Sequence, residues 1–276
     1  MEIRVACGSW ADDDYVGVLY PKSLSAKLRL KGYTEWFNHV EVNSTYYATP
    51  KRATVEGWLN LTPPGFTFNI KLHRAFSQGP LRAAQNGELV PKLLEAVEPL
   101  VAQKRLGAFF LVMPPSFGPA RHSLEELDAV AESLQPHVLA IELRHRDWVT
   151  GAQRAKTLDY FRAKKLAWIA VDMPQLKNST LMPAVDVVTD PRCAYFRLHG
   201  RNLHYLEAKT AAEGHTYAYS DAELHEIVKR VRSVAKNAET TYVIANNHAY
   251  DYAPKTALAL QKLLGIEIGR PNDWLF

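Results

Sequence analysis

At 276 residues, 47% of them hydrophobic and 22% charged, the chain suits one globular domain, residues 1–276, with material for a full core. Two cysteines, Cys7 and Cys193, exclude a disulfide framework and have no metal-finger spacing, and no run of about 20 apolar residues is available to span a bilayer. A net charge of +4 favours an anionic ligand without marking a nucleic-acid protein.

The chain opens on Glu2-Ile3-Arg4-Val5, with no basic region leading into an apolar stretch. It therefore reads as a first strand rather than a secretory leader, and the cytoplasm is the expected compartment. Further β-type runs follow near His39 to Asn43, Thr67 to Leu72, Ala108 to Met113, Val138 to Leu143, Ala167 to Asp172, Ala194 to Leu198 and Tyr242 to Asn246, after the first at Ile3 to Gly8. Helical patterns fill the intervals. Pro50 suits a first helical residue, Ser123 with Glu126 and Ser220 with Glu223 have capping-box spacing, and Leu93, Val97 and Leu100 recur at helical period, as do Leu224, Ile227, Val228, Val231 and Val234. The alternation predicts a closed (β/α)8 TIM-type barrel, eight parallel strands with surrounding helices. Two intervals differ: Lys177 to Arg192 is proline-interrupted, and Arg201 to Ser220 is long for a loop, as binding elements at barrel mouths often are.

Each predicted strand ends in polar residues, and such barrels gather those ends on one face, where their active sites lie. Alternation sharpens this. Glu41 and Asn43 oppose Val40 and Val42; Asn69, Lys71 and His73 oppose Phe68, Ile70 and Leu72; Glu142 and Arg144 oppose Ile141 and Leu143; Tyr195, Arg197 and His199 oppose Phe196 and Leu198. The apolar set suits the helix-covered face, so the polar set is expected inside. Charges buried there must be paired or meet a ligand or metal. Mutual pairing, Glu142 with Arg144 or Arg197 and Glu41 with Lys71, is the structural reading; a ligand site at the mouth is the functional one.

These segments also carry a resemblance. Gly8-Ser9-Trp10 with Tyr20-Pro21, Val40-Glu41-Val42-Asn43-Ser44-Thr45-Tyr46-Tyr47 followed by Pro50, Lys71, Pro114-Pro115-Ser116-Phe117, Glu142-Leu143-Arg144-His145 with Trp148, Asp172-Met173-Pro174, Arg197-Leu198-His199-Gly200 and Asn246-Asn247-His248 resemble the YecE-like family, domain of unknown function 72. The resemblance runs from the first strand to the last. It implies a TIM-type barrel in a bacterial-style cytoplasmic protein, and it implies no particular reaction. The opening departs from the family pattern in lacking a second glycine before Trp10 and in its Asp12-Asp13-Asp14 run.

Three chemistries suit the residues. Metal-assisted hydrolysis, as in an endonuclease-like phosphodiesterase, would assemble Glu41, Glu142, Asp172, His199 and His248 around a divalent ion. Anion or phosphate recognition would use Lys71, Arg144, Arg197 and Arg201, with His199 or His145 carrying a proton. Glycoside cleavage would use Glu41 and Glu142 at about 5 to 10 Å. The reading adopted is a hydrolytic enzyme acting on an anionic, phosphate-bearing small molecule or nucleic acid, without a resident cofactor and without a membrane partner. Glu142, Asp172 and His199 are its expected catalytic groups. Glu41, Asn43, Lys71, Arg144, Arg197, Asn246 and His248 are its expected binding groups. Loop aromatics, Trp10, Tyr15, Tyr20, Tyr46, Tyr47, Trp148, Tyr205, Tyr217, Tyr219, Tyr250 and Tyr252, either stack on a ligand or pack the loops. A non-catalytic nucleic-acid-binding protein is one alternative, and the metal-dependent endonuclease-like phosphodiesterase, with a divalent metal, is the other.

Overall fold

The expected alternation of strand and helix is realised in a computed structural model that describes residues 1–267 apart from 178 and 248. Eight parallel strands form one sheet: β1 (Glu2–Cys7), β2 (His39–Val42), β3 (Thr67–Lys71), β4 (Leu106–Val112), β5 (Leu139–Glu142), β6 (Ala167–Asp172), β7 (Cys193–Leu198) and β8 (Thr240–Ala245). From β2 to β8 each strand pairs with the next in sequence, and β8 pairs with β1 from Glu2↔Thr240 to Cys7↔Ala245. Only the β1–β2 seam lacks a backbone ladder among the described residues. Side chains bridge it. The Cys7 N–H donates to the Tyr33 hydroxyl at 2.9 Å, Asn43 Nδ2 donates to the Gly8 carbonyl, and Arg4 Nη1 donates to the Asn38 and Gly65 carbonyls at 3.0 and 2.9 Å. Backbone groups that a closed ladder would satisfy thus find side-chain partners instead.

The helices are α1 (Arg29–Tyr33), α2 (Arg52–Asn60), α3 (Arg74–Gln78), α4 (Pro80–Gln85), α5 (Leu89–Ala102), α6 (Asp128–Ser133), α7 (Gln153–Ala163), α8 (Ala211–Gly214), α9 (Asp221–Ala235) and α10 (Tyr252–Leu264). The periodic apolar residues do what their spacing predicts: Leu93, Val97 and Leu100 of α5 and Leu224, Ile227, Val228, Val231 and Val234 of α9 are buried against the barrel. Both capping boxes form. At α9 the Ser220 N–H donates to Glu223 Oε2 at 2.8 Å and the Glu223 N–H to Ser220 Oγ at 3.4 Å, satisfying two otherwise orphaned donors. Pro50 does not open a helix, because α2 begins at Arg52 with Lys51 as its cap. Among the described residues, no helix is long and apolar enough to cross a membrane.

Candidate active site

Register explains which side chains enter the barrel. In parallel sheets paired residues share a face, and Glu41↔Asn69, Val112↔Glu142 and Val171↔Arg197 carry one inward-facing layer around the ring. The parity read from strands two, three, five and seven therefore holds for Glu41, Asn69, Glu142, Tyr195 and Arg197, all of them buried. The Thr45 hydroxyl lies 2.9 Å from the Val42 carbonyl and 2.7 Å from the Lys71 carbonyl, tying the ends of β2 and β3 and fixing the backbone that carries Lys71.

Arg197 is the centre of this layer, only 2% exposed. Its Nε and Nη2 donate to Glu41 Oε1 and Oε2, each at 2.9 Å, its Nη1 donates to Glu142 Oε2 at 2.7 Å, and its Nη2 also reaches Asn246 Oδ1 at 3.3 Å. Tyr195 Oη donates to Glu41 Oε1 at 2.8 Å, and the Arg197 guanidinium lies over the Phe110 ring at 5.3 Å. The other Glu142 oxygen takes Arg144 Nε at 2.7 Å and His199 Nε2 at 3.2 Å. Asn246 Nδ2 meets His199 Nδ1 at 3.0 Å. This pattern fits a neutral His199 protonated at Nε2, with both ring nitrogens engaged. Burial pushes its imidazole down to about 4 against the pull of Glu142. Burial alone would raise the Glu142 carboxyl, yet Arg144, His199 and Arg197 hold it well below the usual carboxylate range. The expected pairing is thus found for Glu142 with both arginines, whereas Glu41 pairs with Arg197 and not with Lys71.

Above this layer opens a cavity of about 430 Å³, lined by Asn43, Tyr46, Lys71, Arg144, Arg197 and Asn246 among others. Asn43 turns its amide to the Gly8 carbonyl and lies 3.4 Å from Glu41 Oε2, so it shapes the floor. Two cations differ from Arg197. Lys71 makes no ion pair or hydrogen bond through Nζ among the described residues; its ammonium lies 4.6 Å from the centre of the Tyr46 ring. Burial, with Arg197 nearby, brings it down to about 8. Arg144 engages only through Nε, leaving both terminal nitrogens without a hydrogen-bond partner among the described residues.

Asp172 requires a correction. The pair Asp172↔Leu198 puts it on the helix-facing side of β6, one residue out of phase with Val171↔Arg197. There its Oδ1 takes Arg201 Nη2 at 2.8 Å and Arg230 Nη1 at 2.6 Å, and its Oδ2 takes Arg201 Nε and Tyr219 Oη, each at 2.9 Å. Arg230 also holds Asp186 through Nε at 2.8 Å. This cluster lines a separate cavity of about 810 Å³ that shares no lining residue with the mouth. Arg201, grouped with the anion-binding cations by sequence, belongs to it. Glu41 and Glu142, far apart along the chain, converge on opposite sides of one guanidinium instead of flanking an open glycosidic site. His145 caps the short helical turn Arg146–Val149, accepting from the Asp147 N–H at 3.3 Å. His248 lies outside the described residues. Among the described residues no group of three or more His, Cys, Asp or Glu is placed to hold a metal ion.

His215, which no sequence motif singles out, is buried with its ring tilted against that of His199 at 4.7 Å and against that of Tyr205 at 5.6 Å, linking the long loop after β7 to the mouth. Gly200 starts that loop with φ +90, and the Tyr217 side chain packs where a Cβ would stand. Tyr15, Tyr20 and Trp148 are buried packing residues, while Tyr46 faces Lys71 and Tyr47 stands 70% exposed beside it.

Fold and site together define a TIM-type barrel protein whose C-terminal mouth holds a buried Glu–Arg–Glu cluster beneath Lys71 and the terminal nitrogens of Arg144. The chain belongs to the family described as protein of unknown function DUF72, which it matches over residues 4–273. It is 22% identical over 273 residues to the UPF0759 protein YunF of Bacillus subtilis, covering 96% of this chain and 95% of that one. It is 33% identical over 132 residues to the UPF0759 protein YecE of Escherichia coli, 47% of this chain and 46% of the relative. A DUF72 family protein from Thermotoga maritima shares the fold with a TM-score of 0.82 at 31% identity, covering 96% of this chain and all 100% of the other. One from Enterococcus faecalis gives 0.86 at 27% identity, with 96% of each chain covered.

Proposed function

We propose that the mouth is the active site of an enzyme acting on a small anionic, phosphate-bearing molecule, held by Lys71 and Arg144. One observation carries this reading: three cations and two carboxylates meet at the mouth, and both carboxylates are taken up by Arg197 and by Arg144 Nε, which leaves Lys71 Nζ and the Arg144 terminal nitrogens to a ligand. An arginine presents a planar fork to phosphate, and a lysine adds a point charge. The cavity volume of about 430 Å³ suits a small molecule. Glu142 is a poor base for activating a water, because Arg197 occupies one of its oxygens, Arg144 and His199 occupy the other, and these partners lower its basicity. Lys71, titrating near 8, is the better candidate for proton transfer than His199, whose nitrogens are both occupied.

The nucleic-acid reading rests on Tyr47, whose exposed ring beside the mouth could stack on a base. Calorimetric titration with inorganic phosphate tests the first reading: binding is expected in the native protein and lost in Arg144→Ala. Unaltered binding in that variant refutes it. Tight single-stranded DNA binding with the salt dependence of phosphate contacts, and no affinity for free phosphate, would favour the alternative.

A further inference from the structure

Lys71 stands half-buried at the mouth, at the end of β3. Its backbone is pinned by Thr45 between β2 and β3, its Nζ lies over the Tyr46 ring, and the ammonium has no acceptor for any of its three protons among the described residues. An ammonium partly withdrawn from water and sharing the mouth with the guanidinium groups of Arg144 and Arg197 is disfavoured relative to the free amine, and a free amine is a nucleophile. The groups facing it from the surrounding strands are Glu41, Glu142, Arg144 and Arg197, and the two carboxylates are already committed to the two arginines. The shift of Lys71 to about 8 accords with that geometry.

We propose that Lys71 captures the carbonyl carbon of a small phosphorylated aldehyde or ketone as an imine, while the free nitrogens of Arg144 hold the phosphate. The inference rests on the anionic-ligand reading and names its substrate class. The Nζ lone pair adds to the carbonyl carbon, forming the C–N bond while the C=O π pair moves to oxygen, which takes one of the two Nζ protons. The carbinolamine then loses that oxygen as water, with one further proton delivered from solvent at the open mouth. Nζ keeps one hydrogen, so amine, carbonyl and one proton give an iminium and water. The iminium cation remains over the Tyr46 ring, whose face attracts positive charge. A carbonyl suits this lysine better than an acyl group, because attack on an acyl carbon would end in a stable amide, whereas an imine is reversed by water.

Pyridoxal 5′-phosphate serves as the probe, being both an aldehyde and a phosphate ester. The full chain is incubated with it, reduced with borohydride, which delivers hydride to the iminium carbon, and mapped by mass spectrometry. The expected result is one adduct per chain at Lys71, blocked by inorganic phosphate, absent in Lys71→Met and in Lys71→Arg, and formed about tenfold more slowly in Arg144→Ala. Labelling confined to surface lysines such as Lys92, with Lys71 unmodified, overturns the proposal. If phosphate binds and Lys71 remains unlabelled, the imine fails while the anion reading stands. If pyridoxal lacking the phosphate labels Lys71 equally well and inorganic phosphate neither binds nor competes, the anion reading and the phosphorylated substrate class fail together.

Discussion

Arg197 and Glu41, 156 residues apart in sequence, meet fork to fork, with two parallel hydrogen bonds of 2.9 Å across the inside of the barrel. The same guanidinium holds Glu142 at 2.7 Å, so strands β2, β5 and β7 are joined through one side chain. Arg197 therefore acts as the structural member of the charged layer, and the groups above it are the ones left for a ligand.

Removing that guanidinium leaves Glu41 with no cationic partner and Glu142 with Arg144 and His199 alone. Arg197→Met is expected to cost about 3–5 kcal/mol in denaturant unfolding, because an uncompensated buried charge remains. Adding Glu41→Leu to it should recover part of the loss. Additive single-site effects would show that the two residues are not coupled.

Lys71 should behave in the opposite sense. Its ammonium is lowered from 10.5 to about 8 in the fold, a shift worth up to about 3 kcal/mol against the native state wherever the lysine is charged in both states. The penalty is complete below pH 8 and is relieved as pH rises toward 10.5, where the unfolded chain still binds the proton that the native chain has released. Lys71→Met is thus expected to raise stability at pH 7 by up to that amount and to lose its advantage at the alkaline end. Unfolding measured across that window checks it; a destabilised variant at pH 7 would contradict a half-buried lysine without a carboxylate partner.

Asp172 is expected to matter for stability and not for ligand. Burial opposes its charge, but Arg201, Arg230 and Tyr219 hold its carboxyl below the ordinary value. A depressed carboxyl contributes stability in full above its unfolded pKa and loses it as pH falls through the folded one, so the contribution should begin to fall below about pH 4 and be gone once pH lies below the folded value. Asp172→Asn should cost about 3 kcal/mol at pH 7 and leave phosphate affinity unchanged, because a buried carboxylate with two arginine partners has lost its charge. Loss of phosphate binding without loss of stability would return Asp172 to the site.

The course of the barrel was legible because each strand carries its own signal, and the inward layer was legible wherever charge alternates with apolar residues, as in Val40-Glu41-Val42 and Phe196-Arg197-Leu198. β6 reads Ala-Trp-Ile-Ala-Val-Asp, apolar on both faces, so nothing in it says which way Asp172 points; only its register with β7 decides. Arg230 was hidden for a related reason. It lies within the apolar stripe of α9 beside Val231, and its partners Asp172 and Asp186 come from distant segments. Which cation would find a carboxylate depended on three-dimensional reach, and alternation alone could not separate Lys71 from Arg197.

The most direct test of the ligand site is the titration of Lys71 itself, followed by NMR in protein labelled at the lysine side chains and assigned with Lys71→Arg. One lysine is expected to titrate near 8 in the free protein and to move upward when inorganic phosphate is added, as an anion beside Nζ favours the ammonium. A Lys71 that titrates at the ordinary 10.5 and does not respond to phosphate would contradict it.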